Sequence, residues 1–307
     1  MKTAGRNNRS GMTLIEVLLA LGLFAMLGLF VAGILNSVMG LWQNGERRGH
    51  GDLVFSSTLQ KLRTDLRALH NGARGRFEVD FWEAVPAGEA QQAWYLPRMR
   101  FLAHGGAALD QDPEARHAVE IVWMLVPEDP ANSRLCRLMR LTQLENPSES
   151  FLSSDRLVER RAREGAGLVV LDGVAWAEFA ALDSQGQWHE EWKIPPDPVR
   201  DLPAKVRLRL ERVAGSARNR PPRLDEDLEA AGNRMRLRGQ LPFKIPEFAL
   251  VEKEWMRVSG TPPTLSIAER GLRDTSFEAH PARAPVLLPK SYAGEAWVVA
   301  EGRRWAP

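Results

Sequence analysis

Cysteine occurs once in these 307 residues, at Cys136. That excludes an internal disulfide and any zinc site built on paired thiolates. An excess of one charge is missing too: 41 Lys+Arg against 39 Asp+Glu leaves +2, without the basic surplus of a nucleic-acid binder. Histidine is sparse, and His50, His70, His104, His117, His189 and His280 show neither HxH nor HExxH spacing, so no zinc-hydrolase signature exists. No serine stands in GxSxG, and Gly165-Ala166-Gly167 precedes a strand pattern instead of opening a helix, which excludes a nucleotide loop there. Only two tyrosines accompany ten tryptophans, and the tryptophans read mainly as core. With 25 Gly and 20 Pro, neither collagen-like nor low-complexity architecture applies. The chain is long enough to bury a sizeable core.

The amino terminus is more informative. Residues 1–11 carry Lys2, Arg6 and Arg9 and no acid. Residues 17–35 then run without a charge; as a helix they cover about 28 Å, close to the roughly 30 Å hydrocarbon core of a bilayer. A cleaved secretory signal has a shorter apolar region ending in a small-residue site, and residues 31–33 make a poor one. Positive charge before the run orients the amino end to the cytoplasm and the remainder outward. A plain anchor leaves Glu16 unexplained, because an acid inside an apolar helix costs about 2.5–3.5 kcal/mol at bilayer centre, less near the edge.

The order Gly11-Met12-Thr13-Leu14-Ile15-Glu16-Val17 resembles the type IV prepilin signal. In that family a basic leader ends in Gly, prepilin peptidase cuts after it and methylates the new amine, and a Glu stands fifth in the mature chain. The resemblance covers about 30 residues and implies cleavage after Gly11 and N-methylation of Met12. The carboxylate of Glu16 would then pair with the Met12 ammonium of a neighbouring subunit. Two unit charges about 4 Å apart gain about 4 kcal/mol at an effective dielectric near 20, which offsets the cost of burial. Ala25, Gly28 and Ala32 are small residues that would let such helices approach closely, Gly28 and Ala32 at small-xxx-small spacing. Removing residues 1–11 takes three cations and no acid, so +2 becomes −1.

Downstream, Leu41-Trp42 sits where an interfacial anchor would lie. Residues 52–70 place Leu59, Leu62, Leu66 and Leu69 at helical steps, and Gly45, Gly49 and Gly51 predict an interruption before them. After Gly75 the period becomes two. Residues 76–81, 118–126, 135–141, 168–182 (broken near Asp172-Gly173) and 205–211 read as strands, and 183–186 as a hairpin turn. One long helix followed by strands without βαβ alternation predicts an α+β fold: a pilin-like helix, half membrane and half amphipathic, packed on antiparallel sheet.

The organisation expected is 1–11 leader, 12–40 membrane and filament-core helix, 41–72 amphipathic continuation, 73–250 β-rich periplasmic domain, and 251–307 a partly flexible extension. Within the β-rich domain, 215–232 reads as an insertion with a short helix over 224–231. The stretch 167–211, from Leu171-Asp172-Gly173-Val174 through a Gly hairpin and Trp192 to Leu202-Pro203-Ala204-Lys205-Val206, resembles the J-type minor pseudopilin of type II secretion. That resemblance implies an inner-membrane protein incorporated near the tip of a short pseudopilus. Its implied partners are I-type and K-type minor pseudopilins, the major pseudopilin and prepilin peptidase. The insertion and the tail beyond about residue 245 lie outside the resemblance. A minor pilin of a type IV pilus or DNA-uptake machine, and a membrane-tethered periplasmic enzyme or binding protein, are the alternatives.

Neither catalytic, cofactor nor metal residues are assigned. Cys136 reads as a buried strand residue, His189-Glu190-Glu191 as a solvated turn, and Asp110-Gln111-Asp112 and Asp225-Glu226-Asp227 lack EF-hand spacing. Arg156, Arg160, Arg161 and Arg163, and the pair Arg207 and Arg209, read as solvated or salt-bridged surface, with a partner-docking patch as the alternative.

Overall fold

The computed structural model describes residues 14–70, 76–85, 93–104, 118–129, 134–146, 148–193, 202–213, 215–242, 245–273 and 275–298. Side chains at 16, 17, 20, 25, 32–50, 85, 216 and 217 fall outside that description. Helix α1 spans Leu14–Arg67. Its backbone runs through Gly45, Gly49 and Gly51 without the expected interruption, since a helical glycine costs about 1 kcal/mol and does not forbid the turn. The chain divides into two compact units at Asp52/Leu53; the first is helical from Leu14, and the second holds everything that follows.

In the second unit, strands β1 (Phe77–Val85), β2 (Trp94–His104), β3 (Ala118–Pro127), β4 (Cys136–Leu144), β5 (Leu168–Leu182), β6 (Trp188–His189), β7 (Trp192–Lys193) and β8 (Lys205–Arg212) are joined by β15 (Lys290–Trp297). They form an antiparallel sheet in the order β15-β8-β5-β4-β3-β2-β1-β7, with β6 on β5. Helix α2 (Asp155–Arg163) follows β4, and α3 (Gly215–Asn219) follows β8. A second sheet holds β9 (Arg223–Leu224), β10 (Arg234–Arg238), β11 (Phe248–Val251), β12 (Glu254–Thr261), β13 (Thr264–Leu272) and β14 (Val286–Leu287), in the order β14-β11-β12-β13-β10-β9.

Residues 53–70 lay a stripe of Phe55, Leu59, Leu62, Leu66 and Leu69 on the first sheet, all buried. These are the spacings that put one helix face against a core. They meet Phe77, Val79, Met99 and Phe101 in the same cluster. Within that apolar contact sits one acid. Asp65, 2% exposed, accepts from Arg140 Nε at 2.6 Å and Nη2 at 2.9 Å, and from Trp123 Nε1 at 2.9 Å. Trp123 and Arg140 are cross-strand partners on β3 and β4, so one carboxylate ties the helix to two strands.

Strand alternation sends the neighbouring residues to the opposite face. There Glu78 and Asp80 of β1 lie directly across from Arg100 and Arg98 of β2. Arg98 grips Asp80 through Nε at 2.9 Å and Nη2 at 2.7 Å, and Arg100 Nε reaches Glu78 at 2.6 Å. Both arginines also bond Asp155 at the start of α2. Ser154 caps that helix by accepting from Leu157 N–H. Burial raises the Asp155 pKa, but Arg98 and Arg100 outweigh it and hold the carboxyl below its usual range.

Three expectations are corrected. Strand β5 is continuous through Asp172-Gly173: Gly173 takes φ +66°, a Cβ there would stand 2.6 Å from Val213 O, and the register with β4 shifts instead. A bulge explains the break in pattern. No helix forms over 224–231. Leu224 and Leu228 have helical spacing, yet their N–H groups donate to Ala284 and His280 carbonyls, and both side chains are buried in the second sheet's core. Residues 251–307 are not a flexible tail where they are described. Strands β12 and β13 form a hairpin, and the Pro262-Pro263 pair that read as irregularity is its turn, between the partners Thr261 and Thr264.

Strand β15 returns to the first sheet along the whole of β8, from Lys290 opposite Arg212 to Trp297 opposite Lys205. There it covers the helix. Tyr292 packs on Phe55 with ring centroids 5.1 Å apart, Arg63 Nη2 donates to Glu295 O at 3.0 Å, and a Cβ on Gly294 would stand 2.4 Å from Leu59 Cδ2.

Two stability predictions result. Asp65→Ala leaves Arg140 buried without its counter-ion and is expected to cost about 3–5 kcal/mol in denaturant unfolding, whereas the double change Asp65→Leu/Arg140→Met recovers most of it. Gly294→Val overpacks Leu59 and is expected to cost about 1–3 kcal/mol; a thermal midpoint equal to the parent's would contradict that close approach.

Candidate functional site: the amino-terminal helix

A leucine-rich helix normally hides one stripe. Here the large apolar residues described between Leu14 and Val31 are all exposed, from 46% at Val31 to 77% at Leu14 and Leu29. They occupy consecutive positions (Leu18-Leu19, Leu23-Phe24, Leu29-Phe30-Val31) and therefore surround the axis. A helix apolar on every side is stable only where lipid or other protein covers it. Among the described residues no helix is long and apolar enough to cross a membrane; the uncharged run continues past Val31 into positions whose side chains are not described.

Of the residues singled out in the sequence, Gly11 and Met12 lie outside the described residues, as do the side chains of Glu16, Ala25 and Ala32 and of the Leu41-Trp42 pair. The backbone of Glu16 is in the first turn of α1. Gly28 is exposed, and a Cβ built on it meets nothing within 4 Å; the same holds for Gly22. Both positions present bare backbone to any helix that approaches. An acid in the first turn also interacts favourably with the positive end of the helix dipole, worth about 0.3–1 kcal/mol at exposed sites.

Residues 6–32 match the family described as the prokaryotic N-terminal methylation motif. Gly11, Met12, Glu16, Ala25, Gly28 and Ala32 all fall inside that match. The chain thus carries the amino-terminal signal of type IV prepilin-like proteins, joined here to large antiparallel sheets. No curated protein and no solved structure matches the chain.

Elsewhere, titratable groups meet structural partners. Cys136 is buried in β4 and burial pushes its thiol pKa up, away from reactivity. His189 bonds Asp183 Oδ2 at 2.7 Å across the hairpin turn. Arg207 Nη2 reaches Glu178 at 2.8 Å, with Arg209 also near that carboxylate. On α2, Arg160 and Arg163 each pair with a glutamate one turn away, beside a shallow open concavity. Asp225 pairs with Arg236, and Asp227 accepts from Ala282 N–H. Residues 110–112 lie outside the described residues. Among the described residues no three His, Cys, Asp or Glu converge as a metal site.

Sequence spacing gave no hint of two further assemblies. His70 Nδ1 faces His104 Nε2 where α1 ends beside β2. In the second sheet, buried His280 bridges Glu252 and Glu254 at 2.8 Å each, while Arg270 grips Glu254 through Nε and Nη2. Burial raises the Glu254 pKa, but the bonds from Arg270, His280 and the Glu278 N–H outweigh it and hold the carboxyl below its ordinary 4.5. A depressed carboxyl stabilises the fold above its unfolded pKa and loses that contribution as pH falls through the folded value. Glu254→Gln is therefore expected to unfold at lower temperature than the parent at pH 7, with the gap narrowing as pH drops below 4.5. A gap independent of pH would refute the assignment.

Proposed function

We propose that the protein is a structural assembly subunit: a minor pseudopilin of a type II secretion system, cut after Gly11 by prepilin peptidase, methylated at Met12 and built in near the tip of a periplasmic pseudopilus. The observation that carries this reading is the prepilin motif over 6–32 set on a helix whose described large apolar side chains between Leu14 and Val31 are all exposed. In the inner membrane that helix is solvated by lipid, with the amino end cytoplasmic and the strand domain periplasmic. In the filament, neighbouring helices replace the lipid.

Cleavage creates an ammonium at Met12, four residues before Glu16. A carboxylate desolvated among apolar helices needs a cation to offset its burial, and the only cation that further copies bring to that depth is their own processed amine. Pairing between copies then sets axial register, while Ala25, Gly28 and Ala32 allow close approach. The segment 167–211 supports the J-type assignment, with I-type and K-type minor pseudopilins and the major pseudopilin as partners. Catalysis is not part of this reading.

Intact-mass measurement on protein purified from membranes tests the processing step: loss of residues 1–11 and gain of one methyl group is expected, and an uncut chain sinks the proposal. Glu16→Ala is expected to remove the subunit from sheared filaments while leaving its unfolding midpoint unchanged. Co-purification with I- and K-type subunits, lost in the same variant, separates the secretion assignment from membership of a type IV pilus.

A further inference from the structure

Strands β8 and β15 are the two arms of a hairpin, because Arg212 and Lys290 close their ladder as register partners. Where a turn of a few residues would suffice, the chain builds the second sheet. That module is fixed to the first sheet by Arg273, which bonds Glu211 through Nη1 at 3.2 Å and Nη2 at 2.5 Å and lies over the rings of Trp176 and Trp255 at 4.0 and 4.1 Å. Its burial face holds Met235, Leu237, Met256, Val258 and Leu265. At its β10–β9 end the other face carries a row of exposed arginines.

On β10 the exposed positions are Arg234, Arg236 and Arg238, alternating with buried Met235 and Leu237. Arg223 on β9 is the cross-strand partner of Arg238 and is also exposed. Like charges placed directly opposite each other destabilise a sheet, so the arrangement costs stability. Elsewhere on the chain arginines are commonly matched with carboxylates. Here Arg236 has Asp225 at 3.4 Å, and among the described residues Arg223, Arg234 and Arg238 form no ion pair. The adjoining strand adds hydroxyls: Ser266 lies opposite Arg234 and Thr264 opposite Arg236, both exposed.

We propose that this face of the second sheet docks an extended polypeptide segment of a partner protein that carries Asp or Glu at alternate residues. Arginines two apart on a strand stand about 6.6 Å from one another, and carboxylates two apart on an extended segment repeat at the same distance. Each guanidinium can then take one carboxylate through two parallel hydrogen bonds, with serine and threonine hydroxyls completing the set. Nucleic acid fits less well. A single strand requires aromatic platforms for its bases, and the positions facing this ladder are Arg, Ser and Thr; a duplex requires a broad basic excess, against a net +2 over the chain.

The test uses the full chain in detergent micelles and a fluorescent ten-residue peptide of alternating Glu and Thr, with Gln replacing Glu in the control. Anisotropy is expected to report binding of the Glu peptide that weakens between about 0.01 M and about 0.15 M ionic strength, and no binding of the control. The variant Arg234→Gln/Arg236→Gln/Arg238→Gln is expected to bind at least tenfold more weakly. Arg238→Gln alone is expected to weaken binding while keeping or raising the unfolding midpoint, because it relieves the repulsion with Arg223; a purely structural role for Arg238 would lower that midpoint instead. Equal binding by the triple variant, no binding by the parent, or tighter binding of duplex DNA carrying the same charge overturns the proposal.

Discussion

The bond between Asp65 and Arg140 is the contact on which the second unit's architecture turns. A leucine stripe alone would hold residues 53–70 against the sheet but would specify neither rotation nor axial position, since apolar contacts are non-directional. A carboxylate that must meet both a guanidinium fork and the Trp123 indole N–H admits one placement. Its energetic worth against an apolar replacement is small or negative; its value lies in excluding alternatives. The opposite face repeats the logic with Asp80, Glu78, Arg98 and Arg100, which lock β1 to β2 and fix the start of α2. The central sheet thus carries buried ion pairs on both sides, each tied to a helix.

Seen from that frame, the two units solve opposite problems. Beyond Leu53 most of the large apolar side chains described are buried within the unit, Tyr95, Phe277 and Trp297 being among the exposed exceptions. Before it, between Leu14 and Val31, those described are all exposed. A helix whose described apolar side chains are exposed has deferred part of its folding to its surroundings, and under the proposed function those are first a bilayer and then an array of similar helices.

Much of this was legible from the residues. The stripe Leu59, Leu62, Leu66 and Leu69 announced its helix, and the alternation at 205–211 announced β8, because each obeys a single period over a buried face. The 118–126 and 135–141 segments declared themselves as paired strands for the same reason. What escaped was structure whose signal is not periodic. Leu224 and Leu228 imitate a helix while serving a sheet, and Pro262-Pro263 marks a turn inside a stretch that read as a partly flexible extension. Charge partners such as Asp65 with Arg140 lie 75 residues apart, and no local rule joins them. For the amino-terminal site, the motif was fully readable, whereas the arginine ladder on β10 owes its character to cross-strand neighbours, Arg223, Thr264 and Ser266, that no local pattern joins to it.

The position of β15 has a bearing on how the molecule comes into being. Arg63 and Glu295 are 232 residues apart in sequence, and every other strand of both sheets is made between them. During synthesis the groove over Phe55 and Leu59 stays open until β15, the last strand described, arrives, and a nascent chain halted within the second sheet keeps an unpaired β8 edge and a wet helix flank. Quality control that senses exposed apolar surface therefore has a single late event to monitor, the seating of Gly294 on Leu59.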